Sequence, residues 1–400
     1  MKNWRVSVHF LFLSISLFVF PFRAQSQDPR RVLSSAERYR MIQSISVDLQ
    51  DVLNVIDTLY YKKLDYVDCY IKIQNGGLSN CLDPYSTYVT AKERADMEVE
   101  RLDPTYFGVG IRMIFGVGDK LCLLIPMSDT ISIETGVKAG DMLLSINDQP
   151  IFGLESDSVR KIIIEGLDTF SITVNRDGKK IGPLHLTRKL RYKTDVVFEK
   201  IDSTLARIYL FGFNAQSYVD LENTLRRVRK EIKSGSFILD LRYNPGGNTG
   251  STINIIHLFA RDSNRLVVTL KNTNTGWVAI DSVKKVGEFH DLNFVILNER
   301  RTASAAELFS GVMKSWKRAP IVGDTTFGKG VGQRYVLLPS GNFLHLSVFE
   351  MFLGDSANVR IQGVGIPPDY FIVNKPPSSK MIFRDDEFHT AVKVIKRTIH

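Results

Sequence analysis

Apolar strands that alternate with amphipathic helices constrain the fold of this chain more than any other feature. Residues 206–211 and 237–242 are strand-like runs, and residues 218–234 between them have the apolar spacing of a helix. A second helical stretch, 251–259, comes before the apolar run 294–297. A helical crossover returns the chain to the same end of the sheet, so strands connected in this way pair in parallel. The sequence therefore predicts an α/β layer with at least partly parallel strands.

Two loops follow strands of this layer, at the end of the strands where α/β proteins build their sites. Residues 244–247 form one loop, and residues 298–304 form the other, with Ser304 where the turn becomes a helix. Lys329 lies between two glycines further on, and Gln333 follows it. A hydroxyl at a helix start, a lysine on a tight loop and an amide beyond it can form a serine nucleophile with a lysine base, without any histidine.

Taken singly, these residues have ordinary structural interpretations. A serine before a helix usually caps it, and a lysine between glycines is usually a solvated loop residue. Gly323, Gly328 and Lys329 also match part of a phosphate-binding loop. However, Gly330 replaces the hydroxyl residue that such a loop uses to bind magnesium, and a strand-like stretch follows instead of a helix. Nucleotide binding is therefore not expected.

Composition and spacing argue against several other classes of protein. The chain has 400 residues, of which 44% are apolar and 24% charged, as is usual for globular proteins. Its formal charge of +9 is spread thinly, without a basic stripe that has aromatic residues interleaved, so nucleic acid is not an expected partner. The seven histidines lack metal-ligand spacing, and the Gly-x-Ser-x-Gly elbow of α/β-hydrolases is absent from the sequence. We expect neither a metal nor another cofactor.

The amino terminus has the pattern of a secretory signal sequence. Lys2 and Arg5 precede an apolar run at residues 6–20, and Ala24 and Ser26 are small residues near a plausible cleavage point. An uncleaved membrane anchor is the alternative, but the run is shorter than the about 20 residues that span a bilayer. We expect export to the periplasm, cell envelope or extracellular side, with a mature protein that is soluble and has no stable membrane span.

The three cysteines have different expected roles in an oxidising compartment. Cys69 and Cys81 bracket a Gly-Gly turn and could close a small loop through a disulfide. Cys122 lies within the apolar run LCLL and is expected to be a buried apolar residue.

A β-rich segment lies between the helical amino-terminal region and the α/β layer. Its sequence predicts short strands at 111–115, 121–125, 142–146 and 171–176, with a helix at 156–165.

The stretch GVKAGDMLLSIN at residues 136–147 resembles the Gly-Asp stretch of PDZ domains. In that family, a glycine-rich loop presents backbone N–H groups to a peptide carboxylate, and the peptide then adds as a strand along the sheet edge. The glycines of the upstream loop could instead only shape a hairpin. The resemblance favours peptide binding, and it implies that the contacting residues are Phe107, Gly108, Val109, Gly110 and Ile111.

Together, five segments resemble the carboxyl-terminal processing (tail-specific) serine proteases, which carry an inserted PDZ domain. Residues 240–247 (DLRYNPGG) are similar to their DLR-x-NPGG motif, and residues 302–307 (TASAAE) to their nucleophile motif. Residues 327–333 (FGKGVGQ) resemble their GKG-x-x-Q motif, residues 363–369 (GVGIPPD) resemble G-x-GI-x-PD, and the PDZ stretch has the family's position. The cysteine-containing loop and the lack of a tyrosine-rich form at residues 349–353 depart from the family pattern.

The resemblance implies a role for each matched residue. Ser304 would be the nucleophile, Lys329 the general base and Gln333 the residue that orients the lysine. A free lysine has a pKa of about 10.4, so Lys329 must be buried to accept a proton near neutral pH. Backbone N–H groups of Gly246 or Gly247, with that of Ala305, would stabilise the oxyanion.

The expected fold is a multidomain α/β (α+β) protein with a mixed-sheet serine-protease core. The expected parts are a signal peptide at 1–24, a helical region at 25–100, a PDZ domain at 101–190, the catalytic core at 191–375 and a carboxyl-terminal helix at 376–400. The expected function is cleavage of proteins or peptides whose unstructured, apolar carboxyl tails the PDZ domain captures, with an activating adaptor protein as a further partner. The alternative is a catalytically silent peptide-binding scaffold of the same fold.

Overall fold

The computed structural model describes residues 34–65, 67–69, 72, 81–115, 122–353, 359–372 and 385–398. Of the described residues, 34–49 belong to one compact unit and those from Gln50 onward to the other. The expected signal sequence at 1–24 and the expected Gly-Gly turn at 76–77 lie outside the described residues. In the part of the chain that is described, no helix combines the length and the apolar character that crossing a bilayer requires.

The helices with defined bounds, in chain order, are α1 Ser35–Leu59, α2 Ala91–Leu102, α3 Asp129–Thr135, α4 Ser156–Glu165, α5 Ala215–Glu231, α6 Thr249–Leu258, α7 Ala305–Ser315 and α8 Asp386–Thr398. The strands, in chain order, are β1 Thr87–Val89, β2 Thr105–Gly108, β3 Ile111–Phe115, β4 Cys122–Pro126, β5 Asp141–Ile146, β6 Gln149–Pro150, β7 Thr169–Arg176, β8 Lys179–Thr187, β9 Lys189–Tyr192, β10 Val196–Lys200, β11 Leu205–Leu210, β12 Ser236–Asp240, β13 Leu266–Asn272, β14 Trp277–Ser282, β15 Asn293–Asn298, β16 Ile321–Gly323, β17 Val331–Leu337, β18 Phe343–Leu353, β19 Val359–Arg360 and β20 Tyr370–Phe371.

The central sheet has the strand order β10-β11-β12-β15-β16-β20. The pair β10–β11 is antiparallel, and the pairs from β11 to β20 are parallel. Strands β11 and β12 are buried along their whole length. Such apolar strands need cover on both faces. Helices α5, α6 and α7 contribute to the core on one face, and α8 packs on the other. The prediction of a mixed α/β fold is confirmed.

A second sheet is antiparallel and is built around the long strand β18. Strands β1, β13, β17 and β19 all pair with β18, and β14 pairs with β13. The sequence did not predict the β13–β14 hairpin. This sheet contributes to the site in two ways. It contains Gln333 on β17, and Ser347 on β18 bonds the segment around residue 85.

The β-rich segment forms its own sheet, in the order β3-β4-β5-β7-β8, around a separate apolar core. Helix α4 has the predicted bounds, and β4 begins one residue later than predicted. Cys122 is a free, buried cysteine, as the sequence predicted. Strands β2 and β9 pair antiparallel, with Thr105 opposite Tyr192. The two ends of the segment therefore lie side by side where it joins the rest of the chain.

Candidate active site

Ser304 lies at the turn between β15 and α7. Its φ of 57° is in the left-handed region, which is uncommon for a residue with a side chain and is typical of strained functional turns. Its backbone N–H donates to Glu307 Oε2 at 2.7 Å, and its carbonyl accepts the N–H of Leu308 at 3.0 Å. Ser304 and Glu307 together form the capping box at the start of α7.

The loop that contains Gly246 lies directly against Ser304. A Cβ atom at Gly246 would lie 2.8 Å from Ser304 Cβ and 2.8 Å from the backbone nitrogen of Ala305. The φ of Gly246 is 105°, a conformation that favours glycine. The backbone N–H of Ala303 also donates to the carbonyl of Asn244 at 3.0 Å. Two separate strand ends therefore meet at Ser304.

The hydrogen bonds of this loop distinguish between its two glycines. The N–H of Gly246 already donates to Asn244 Oδ1 at 2.8 Å. By contrast, the N–H groups of Gly247 and Ala305 donate to no acceptor in the part of the chain that the structure describes. Gly247 is exposed, whereas Ala305 is buried. Of the two glycines, only Gly247 therefore has a backbone N–H without an acceptor among the described residues.

Glu307 joins the serine turn to the lysine loop, a role that sequence reasoning did not assign. Its side chain is fully buried, and its Oε1 accepts Thr326 Oγ1 and the N–H of Gly328, each at 2.6 Å. Its Oε2 accepts the N–H groups of Ser304 at 2.7 Å and Lys329 at 2.8 Å. Burial raises the pKa of Glu307, while these donors favour its ionised form. The position of Glu307 in the TASAAE motif was the only sequence signal.

Lys329 is half-buried, and its Nζ lies 4.6 Å from the ring centroid of Tyr85. Burial lowers the pKa of Lys329, and the negative charges of Asp83 and Glu307 oppose that shift. Lysine can act as a base only when neutral, so a lowered pKa suits that role. Across the described residues, Lys329 Nζ makes no hydrogen bond to Ser304 Oγ or to Gln333.

Gln333 has other partners than the one expected from the resemblance. Its Nε2 donates to Ser347 Oγ at 3.2 Å and to the carbonyl of Val331 at 3.5 Å. Ser347 Oγ in turn donates to Asp83 Oδ1 at 3.1 Å. The structure therefore connects Gln333 to Asp83 through a serine, and the orientation of Lys329 by Gln333 stays a prediction.

The expected peptide-binding residues divide into two groups. Val109 and Ile111 line a small apolar cavity, to which Ile163 of α4 also contributes. Gly110 has a φ of 77°, which glycine adopts readily. Phe107, however, is exposed on the β2–β9 ribbon opposite Leu190, and it does not line this cavity.

Cys69 and Cys81 form a disulfide in the structure. The bond lies just before Asp83 and Tyr85, and it therefore restrains the segment that reaches the lysine loop. Among the described residues, no group of three or more His, Cys, Asp or Glu side chains is arranged to hold a metal ion.

Comparison with known proteins supports the class of a serine-type peptidase. Residues 204–372 match peptidase family S41. Over 360 residues the chain is 27% identical to a CtpA-like serine protease of Staphylococcus aureus, covering 87% of this chain and 70% of that protein. It is 25% identical over 376 residues to a carboxy-terminal-processing protease of Bartonella bacilliformis, covering 92% of this chain and 82% of that protein.

Two solved structures have a similar fold. An S41 protease from Bacteroides fragilis superposes with a TM-score of 0.58 and 16% identity, over 86% of this chain and 96% of that chain. The photosystem II D1 C-terminal processing protease superposes with a TM-score of 0.52 and 19% identity, over 88% and 96%. The family S41 match thus covers the region that includes Ser304 and Lys329, and the predicted resemblance to the carboxyl-terminal processing proteases is confirmed.

Proposed function

We propose that this chain is an exported endopeptidase that cleaves unstructured proteins with apolar carboxyl tails by a Ser304–Lys329 mechanism. One observation carries the catalytic part of the proposal. Glu307 Oε2 accepts the backbone N–H groups of both Ser304 and Lys329, so a single buried carboxylate holds the nucleophile and the base together. The similarity to the Bartonella carboxy-terminal-processing protease supports carboxyl-terminal processing as the activity.

In the proposed first step, neutral Lys329 Nζ accepts the proton of the Ser304 hydroxyl while Ser304 Oγ attacks the scissile carbonyl carbon. The carbonyl oxygen becomes an oxyanion, which the N–H groups of Gly247 and Ala305 stabilise. Each donor of this kind is typically worth about 3–4 kcal/mol of barrier in other serine proteases. This step requires the Lys329 amine to move from its contact with Tyr85 toward Ser304.

In the following steps, the C–N bond breaks, and protonated Lys329 gives its proton to the leaving amine. The amino-terminal fragment of the substrate remains bonded to Ser304 through its carbonyl carbon as an acyl ester. Water then attacks the ester with Lys329 again as the base, which releases the product acid and restores the serine. We propose that the side-chain amide of Gln333 gives up its hydrogen bond to Ser347 and bonds the Lys329 amine instead. In that arrangement Gln333 would orient the lysine.

The PDZ part of the proposal rests on the groove between β3 and α4. Strand β3 pairs with β4 along one edge, and the apolar cavity lies beside β3. A peptide that adds to the free edge of β3 would place apolar side chains over this cavity. The capture of substrate tails, and export of the chain, follow from the sequence patterns and remain part of the proposal.

The test uses an unstructured substrate in two forms that differ only in the final residues, one apolar and one charged. The mature chain should cleave the apolar-tailed form faster, and Ser304→Ala and Lys329→Ala should each lower kcat by at least about 10³-fold. The matched controls are Ser315→Ala, on an exposed serine of the same helix, and Lys285→Ala, on an exposed lysine. Full activity of Lys329→Ala would refute the serine–lysine mechanism, and equal rates on the two tails would refute tail capture.

A further inference from the structure

The segment from Asp83 to Ser86 packs against β18, where its polar groups form a buried, hydrogen-bonded cluster. Asp83 Oδ1 accepts the N–H of Tyr85 at 2.8 Å and Ser347 Oγ at 3.1 Å. Asp83 Oδ2 accepts Ser86 Oγ at 3.1 Å, and Ser86 Oγ accepts the N–H of Ser347 at 3.0 Å. The N–H of Asp83 donates to the hydroxyl of Tyr60 at 2.9 Å. Because these groups are buried and mutually bonded, the turn is held rigidly against the sheet.

This turn presents the ring of Tyr85 to the Lys329 amine. The ring centroid lies 4.6 Å from Lys329 Nζ, within the range in which an aromatic face attracts a cation. Tyr85 is partly buried and packs against the main apolar core. The side chain therefore contributes both a π face for the amine and an apolar cover that limits its access to water.

We propose that Tyr85 is a positioning residue for Lys329, whose ring face holds the protonated amine before substrate binds, on a turn that Asp83 fixes in place. The proposal rests on the proposed role of Lys329 as the general base. It adds to the site a residue that is distant in sequence from the recognised motifs. Tyr85 precedes the proposed nucleophile and lies outside the α/β layer.

The environment of Lys329 decides how a change at Tyr85 acts on the amine. The groups that interact with Lys329 are the carboxylates of Asp83 and Glu307, the ring of Tyr85 and the imidazole of His345. The carboxylates and the ring face favour the ammonium form, whereas burial disfavours it. Removal of the ring face with retention of an apolar cover therefore lowers the pKa of Lys329. Because the base must be neutral, the acid limb of the rate profile then moves to lower pH.

The variants Tyr85→Phe and Tyr85→Leu separate the ring face from its hydroxyl and from simple apolar cover. In a Ser304→Ala background, acetylation of Lys329 by acetic anhydride is followed against pH by peptide mass spectrometry. Tyr85→Phe should titrate as the parent does, and Tyr85→Leu should titrate about 0.5 pH unit lower. Tyr88→Leu, on an exposed tyrosine of the same segment, is the matched control and should leave the titration unchanged.

In the active chain, the acid limb of the kcat/KM profile of Tyr85→Leu should lie about 0.5 pH unit below that of the parent, while Tyr85→Phe retains the parent profile. Melting temperatures of all variants show whether a loss of rate reflects unfolding. Coincident titrations of Lys329 in the parent and in Tyr85→Leu would overturn the proposal, and so would equal shifts in the Phe and Leu variants. Failure of the proposed mechanism is a different result, because it would appear as retained activity in Lys329→Ala.

Discussion

Single residues in this site depend on partners that are distant in sequence. Glu307 is the clearest case, because one carboxylate accepts hydrogen bonds from the serine turn, from Thr326 and from two backbone N–H groups of the lysine loop. A buried N–H group that loses its acceptor costs about 1–3 kcal/mol. The geometry at Ser304 is therefore coupled to the protonation and chemistry of a residue that has no direct part in the proposed reaction.

Glu307→Gln tests this coupling. The amide can accept on one side only, so its NH₂ group would face either the N–H groups of Ser304 and Lys329 or the Thr326 hydroxyl and the Gly328 N–H. We expect kcat/KM to fall by at least about tenfold and the melting temperature to fall as well. The control is Glu288→Gln on the surface, which should change neither quantity. Values for Glu307→Gln within twofold of the parent, with an unchanged melting temperature, would contradict the inferred role.

Sequence motifs identified Ser304, Lys329 and the glycine loop because strand ends and glycine spacing are local signals. They did not separate Gly246 from Gly247, since that difference depends on which N–H the Asn244 side chain accepts. They also missed Tyr85, because a ring 4.6 Å from Lys329 arises from the pairing of β1 with β18, a contact between segments remote in sequence. Partners of this kind depend on tertiary packing, which a local pattern does not encode.

Strand β3 is hydrogen-bonded to the turn that contains Ser304. Arg301 Nη1 donates to the carbonyl of Phe115, the last residue of β3, at 2.9 Å. The guanidinium of Arg301 also lies 4.2 Å from the ring centroid of Tyr243, in the loop that leads to Gly246. Arg301 lies three positions before Ser304 and packs on the loop that leads to Gly246. It therefore connects both to β3, the strand proposed to receive a peptide.

Arg301→Ala should weaken the response to substrate tails. A coupling between two sites typically changes affinity or rate by about 5- to 150-fold. We expect the ratio of kcat/KM for apolar-tailed over charged-tailed substrate to fall at least about fivefold in Arg301→Ala. Arg300→Ala is the matched control, since Arg300 is exposed and pairs with Asp324 instead. An unchanged ratio in Arg301→Ala would show that the contact between Arg301 and β3 does not affect the response to substrate tails.

The bounds of helix α4 were predicted correctly, and those of α5 less well. Helix α5 begins at Ala215, three residues before the predicted start, because Asn214 and Ser217 form reciprocal capping bonds. The β13–β14 hairpin was not recognised, because its second strand alternates between exposed and half-buried positions with few apolar anchors. Its place in the sheet depends on pairing between β13 and β18.

At the scale of the whole molecule, a buried ion cluster fastens the terminal helix to the central sheet. Arg242, which follows β12, bonds Asp240, Asp385 and Glu387. Ionisation of a buried carboxyl is costly, and burial raises the pKa of Glu387 to about 7. The neighbouring Arg242 lowers the pKa of Asp385, although burial acts in the opposite direction. The pH dependence of stability therefore includes terms of opposite sign.

The sign of the Glu387 contribution follows from its raised pKa. The folded state retains the Glu387 proton between about pH 4.5 and 7, while the unfolded state releases it, so this contribution to stability decreases as pH rises through that window. In Glu387→Gln, melting temperatures measured from pH 5 to 7.5 should decline less than in the parent, by a few degrees. Glu165→Gln, on an exposed glutamate, serves as the control. Parallel curves for the parent and Glu387→Gln would contradict the prediction.

The pairing of β2 with β9 has a consequence for engineering. The segment between them leaves and re-enters the body of the protein at neighbouring positions, with Gly108 opposite Lys189 at one end of the ribbon. A replacement of any length needs to satisfy only this one closely spaced junction, since the entropy of loop closure grows slowly with length. The segment between β2 and β9 could therefore be replaced by another peptide-binding domain. Such a replacement would change the selectivity for peptides without changes elsewhere in the chain.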